Sequence, residues 1–66
     1  PPITHLNLNT ATKKQLQKLP GIGNKISEEI IAYRHQHGFF YSKRDLLKVK
    51  FIGPKLYEKL AQFLYL

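Results

Sequence analysis

In the run KLPGIGNKI, Lys18–Ile26, two glycines, an asparagine and a lysine fall close together. That combination suits an anion. Free backbone N–H groups at a helix start carry partial positive charge and point outward. Glycine has no Cβ to hold a ligand away, and a lysine just beyond adds a full charge beside the amides. Gly21, Ile22, Gly23, Asn24 and Lys25 form the first candidate cluster. KVKFIGPKL, Lys48–Leu56, states nearly the same thing again, with Lys50, Gly53 and Lys55 as its candidates. Phosphate is the anion such clusters suit, and phosphate contacts carry no base identity. Two of them could meet the two antiparallel backbones flanking one groove of a duplex.

The parts for catalysis are missing. Four acidic residues are present in all, and Glu28 and Glu58 each follow a lysine (Lys25, Lys55) in an i,i+3 pair suited to a helix salt bridge. No carboxylate cluster is placed to hold a hydrolytic metal. His35 and His37, spaced two apart, do not share a helix face; with Arg34 they read as cations at a helix C-terminus. The chain is therefore read as non-catalytic, with no firm metal site.

The elements that must position these clusters are two copies of one unit. QLQKLPGIGNKISEEIIAY (15–33) aligns without a gap on DLLKVKFIGPKLYEKLAQF (45–63). Leu16/Leu46, Lys18/Lys48, Ile22/Ile52, Gly23/Gly53, Lys25/Lys55 and Glu28/Glu58 are identical, and four further pairs stay apolar. A short internal repeat of this kind implies a pseudo-symmetric pair of supersecondary units, about 12–37 and 42–64. Each unit reads as helix, tight turn, helix. Thr12 with Gln15 and Ser42 with Asp45 are capping boxes, predicting short helices over Lys13–Lys18 and Lys43–Lys48. Pro20 and Gly21 end the first, while Pro54 suits the first position of a new helix. Apolar residues at helical spacing predict longer helices near Asn24–His37, with Gly38 as its stop, and Pro54–Leu64. Residues 1–9 are read as an extended N-terminal arm, and GFFYS as a connection with an aromatic or two packed beneath it. The expectation is one all-α domain spanning 1–66, with four main helices around one core.

Composition agrees with a small basic module. A chain of 66 residues buries only about 60% of the surface it exposes when unfolded. It has no cysteine, which excludes disulfides and thiolate zinc sites. The net charge is +7, and residues 34–66, with seven basic and two acidic groups, hold most of it. Such a balance favours a polyanion, nucleic acid before anionic lipid. No apolar run has the length of a membrane span, so no membrane contact is expected within the chain. The opening PPITHLNLN lacks Met and is read as a trimmed or mature start, with any anchor or export signal upstream.

The segments NLNTA, LPGIG, II-x-YR followed by G-x-F, DLL-x-V and IGPK together resemble the tandem helix-hairpin-helix, (HhH)2, domain of ComEA-like competence DNA receptors. The resemblance covers roughly residues 6–60. It implies a SAM-like helical domain that grips double-stranded DNA through its minor groove and backbone. For the competence branch it implies DNA uptake at the cell surface or in the periplasm, alongside other proteins of an uptake or repair assembly. It also implies a monovalent cation, Na+ or K+, on turn carbonyls near Gln17, Leu19 and Ile22; no other cofactor is expected.

One position departs from the pattern: Phe51 stands where the first hairpin has Gly21. A bulky residue disfavours positive φ there, so hairpin one is expected to be the better phosphate site. Phe51 itself is expected in the core rather than at the groove edge, and the second unit is expected to act through Lys48, Lys50 and Lys55. A β-branched residue at Gly21 is expected to hurt binding more than folding. Two other readings stand beside DNA binding. One is a protein-interaction module with the same fold; the other is the DNA-holding domain of a larger nuclease or repair enzyme.

Overall fold

The computed structural model describes residues 5–66. Four helices follow one another: α1, Lys13–Gln17; α2, Asn24–His37; a 3-10 helix, Lys43–Lys48; and α3, Pro54–Ala61. Two short strands, β1 at Leu6–Asn7 and β2 at Leu64–Tyr65, pair in parallel with Leu6 opposite Leu64. The fold is the all-α helix-hairpin-helix arrangement, closed by this pairing.

Both capping boxes form. The Thr12 hydroxyl accepts from the Gln15 N–H at 3.2 Å while the Gln15 side chain accepts from the Thr12 N–H at 2.9 Å. In the second unit the Asp45 carboxylate accepts from the N–H groups of Tyr41 (3.0 Å) and Ser42 (3.4 Å). The Tyr41 N–H, with lesser help from the Ser42 N–H and Lys48, holds the Asp45 carboxyl below the usual carboxylate range against an opposing effect of burial. Gly38 ends α2 at φ 81°.

The repeat is visible in the core. α1 packs on α2 and the 3-10 helix packs on α3. Leu16, Leu19, Ile22 and Ile30 are buried in the first unit, and their counterparts Leu46, Val49, Ile52 and Leu60 in the second. Leu8, Ala11, Phe40 and Leu64 close the core at its edges. Phe40 is the packed aromatic of the connection; Phe39 and Tyr41 are exposed.

Three expectations change. Of the N-terminal arm, residues 1–4 lie outside the described residues, while the following segment docks against the molecule. Leu8 is fully buried, and its N–H donates to the Tyr65 carbonyl at 2.7 Å. The alternating HLNLN therefore forms a paired edge with its apolar residues turned inward. The last helix ends at Ala61, short of Leu64, because Leu64 and Tyr65 leave it to pair with β1. The predicted i,i+3 pairs of Lys25 with Glu28 and Lys55 with Glu58 do not form among the described residues: Glu28 meets Lys13 of α1 at 3.5 Å instead, and the other ion pair joins Lys48 to Asp45 at 3.5 Å.

Candidate nucleic-acid interface

The two turns repeat one hydrogen-bond pattern. In the first, Leu19 N–H donates to Leu16 carbonyl (3.1 Å), Ile22 N–H to Leu19 carbonyl (3.3 Å) and Ser27 N–H to Gly23 carbonyl (3.1 Å). In the second, Val49 donates to Leu46 (3.0 Å), Ile52 to Val49 (3.2 Å) and Tyr57 to Gly53 (2.9 Å). Gly23 and Gly53 are the N-caps of α2 and α3, both extended and both without a side-chain cap. Among the described residues, the N–H groups of Gly23, Asn24, Lys25 and Ile26 meet no protein acceptor, nor do those of Gly53, Lys55 and Leu56. Pro54 has no N–H to offer. Each turn thus ends in a helix start whose donors face outward.

The turns lie crosswise. Gly21 sits so close to α3 that a Cβ on it would stand 2.8 Å from Leu56 Cδ1. Phe51 of the second turn lines one open depression with Lys25 and Ile26 from the start of α2. Each turn therefore approaches the helix start of the other unit. Gly21, Gly23, Asn24, Lys25, Lys50, Gly53 and Lys55 are all exposed. Ile22 is buried, so only its backbone can belong to the surface. Lys25 and Lys55 make no ion pair among the described residues. Lys50 stands over the Phe51 ring, with Nζ 5.3 Å from the centroid.

The first helix start is braced. Gln17 Nε2 donates to Asn24 Oδ1 at 3.1 Å, and Asn24 Nδ2 to Glu28 Oε1 at 3.3 Å. The Asn24 side chain thus ties α1 to α2 and leaves its backbone N–H outward. In the second unit Leu47 and Pro54 occupy the Gln17 and Asn24 positions, so that brace has no counterpart.

Phe51 corrects the sequence reading twice. Its φ is 74°, beside 80° at Gly21, so it adopts the left-handed conformation that its bulk disfavours. It is also 54% exposed rather than in the core. The conformation follows from the repeat: the same two turn hydrogen bonds close both hairpins and require the same chain path. The side chain is left on the surface because Ile52 and Val49 fill the core positions. Lys48, expected at the interface, is engaged with Asp45. Arg34 is structural, its Nη1 donating to the carbonyls of Ala11 (2.7 Å) and Leu8 (3.4 Å). Sequence periodicity gave no signal for that role. His37 packs against Tyr33 with the rings tilted by 33° and their centroids 4.4 Å apart. The described residues contain no cluster of three His, Cys, Asp or Glu able to hold a metal ion.

The sequence profile of the helix-hairpin-helix motif matches residues 2–65. The ComE operon protein 1 of Bacillus subtilis is 46% identical over 55 residues, covering 83% of this chain and 27% of that protein. An uncharacterized protein of Haemophilus influenzae is 49% identical over 55 residues, covering 82% of this chain and 49% of its own length. The endonuclease/exonuclease/phosphatase family domain-containing protein 1 of Danio rerio is 42% identical over 59 residues, covering 89% of this chain and 11% of that protein. The chain thus spans half or less of the length of each of these relatives.

Proposed function

The chain belongs to the helix-hairpin-helix family, and from that premise we propose that it binds double-stranded DNA without sequence preference and without catalysing a reaction on it. One observation carries this reading: two uncapped helix starts, each with outward N–H groups and an exposed lysine, approach one another crosswise. Backbone amides of Gly23, Asn24 and Lys25 take a phosphate at hairpin one, with Gly21 leaving the approach open. Gly53 and Lys55 do so at hairpin two, with Lys50 beside them. The +7 charge draws in the polyanion at long range. Resemblance to ComEA-like receptors supports DNA uptake as the setting, alongside other proteins of an uptake or repair assembly. The Danio rerio relative, of which this domain is a small fraction, favours a second setting, the DNA-holding part of a larger protein.

The first turn also suits a monovalent cation. The Gln17 and Ile22 carbonyls accept no hydrogen bond among the described residues, and the Leu19 carbonyl accepts one. Three oxygen acceptors on one turn fit Na+ or K+, which would rigidify the turn and add positive charge beside the phosphate.

The test is a fluorescence-anisotropy titration of a duplex of unrelated sequence at several salt concentrations, with a single strand of equal length alongside. Sequence-blind duplex binding that weakens with salt, by a log–log slope of about 0.9 per phosphate contacted, supports the reading. No binding at low salt overturns it in favour of a protein-interaction module.

A further inference from the structure

The repeated turn sets the path of the chain at Phe51, but not the choice of a phenylalanine where glycine would fit. Its φ of 74° lies in the left-handed region, which glycine enters freely and a bulky residue enters at a cost. Burial does not offset that cost, since the ring is 54% exposed. A strained residue that persists without a packing reward points toward a ligand. The surroundings narrow the choice: Lys50 Nζ lies 5.3 Å from the ring centroid. Lys25 and the half-buried Ile26 line the same open depression as the ring. An apolar ring is thus held beside cations, where the second turn meets the start of α2.

We propose that Phe51 is an apolar groove contact. While the hairpin amides and lysines hold the flanking phosphates, the ring meets the sugar edges and one base step of the duplex from the minor groove. It thereby makes the domain prefer duplex that carries a mismatched, already unstacked step, whatever the surrounding sequence. This deepens the DNA-binding reading and rests on it. Charge selects the occupant. A second copy of a +7 chain would set lysines against Lys25 and Lys50, whereas a duplex brings phosphates on both sides of its groove. An apolar side chain pressed into the minor groove partly unstacks a step, and that costs least where stacking is already weak. The repeat makes the contact one-sided, because the matching position in hairpin one is Gly21.

The test titrates the full chain against a labelled duplex and the same duplex carrying one central mismatch, as wild type and as F51G. Glycine keeps the left-handed turn, so the variant folds. The wild type is expected to prefer the mismatched duplex by about tenfold, the lower range of what one aromatic contact with a base is worth. F51G is expected to bind both duplexes alike with an unchanged salt slope. A 2-aminopurine beside the mismatch brightens on binding the wild type and not F51G. A wild type without the preference, or an F51G that retains it, overturns the groove contact while duplex binding stands. A wild type that binds no duplex at any salt concentration overturns the DNA reading beneath it. Sedimentation showing a wild-type dimer and an F51G monomer assigns the ring to a second copy and also overturns the proposal.

Discussion

Lys25 and Arg34 are cations on the same helix with opposite uses. Lys25 is exposed and unpaired among the described residues, whereas Arg34 spends its guanidinium on the Ala11 and Leu8 carbonyls. K25A should therefore weaken binding to all duplexes alike and lower the salt slope by about one, with its thermal midpoint unchanged. R34A should leave binding by the folded fraction intact but cost about 1–3 kcal/mol of stability, because partly buried carbonyls lose their donor. Titration beside thermal melts separates the two. Gly21 belongs to both categories. A β-branched side chain there was expected to harm binding before folding, yet its Cβ would meet Leu56 Cδ1 at 2.8 Å in a backbone of φ 80°. G21V should thus cost about 1–3 kcal/mol of stability through strain, in addition to blocking the phosphate. Unfolding in urea would show it: a midpoint equal to wild type would mean the turn is free to adapt.

At the scale of elements, the caps decide where helices begin, and one of them titrates. Asp45 has its carboxyl held low by the Tyr41 N–H first, then by the Ser42 N–H and Lys48. A carboxyl lowered by folding contributes stability that is present above its unfolded value and lost as pH falls through its native one. The thermal midpoint of wild type should accordingly drop on acidification below about pH 4, and D45N should show a shallower drop. Parallel pH profiles with no difference would remove the carboxylate from that role. These caps were legible in sequence because Thr12/Gln15 and Ser42/Asp45 are local patterns, as were α2 from its periodicity and its stop at Gly38. The β1–β2 pairing was not legible: it joins the two ends of the chain, and two-residue strands have no periodicity to read. The candidate site was legible in part. The glycines and lysines marked the two helix starts that the structure leaves without side-chain caps, but the exposure of Phe51 depended on which residues had already filled the core. The role of Arg34 depended on carbonyls that only the folded chain brings near.

The whole molecule is held together by its symmetry. Each unit contributes one half of the core: Leu16, Leu19, Ile22 and Ile30 from the first, Leu46, Val49, Ile52 and Leu60 from the second. Gly21 packing near Leu56 and Phe51 sharing a depression with Ile26 link the same halves at the turns. Neither half can bury its apolar face alone, and isolated helices this short are marginal in water. A peptide of residues 12–37 should therefore lack stable helicity and bind DNA only as a weak, salt-sensitive polycation. The terminal strands extend the same dependence. Leu64 is fully buried in β2 but belongs to no candidate contact. L64A should cost about 2–5 kcal/mol, as core truncations do, a large share of a small domain's stability. If the binding surface is an assembled property of both units, duplex affinity in L64A should fall in proportion to the folded fraction followed by circular dichroism. It should recover on adding an osmolyte that restores folding. Full affinity retained by the unfolded variant would mean that charge alone binds DNA, and that the crosswise placement of the hairpins contributes nothing.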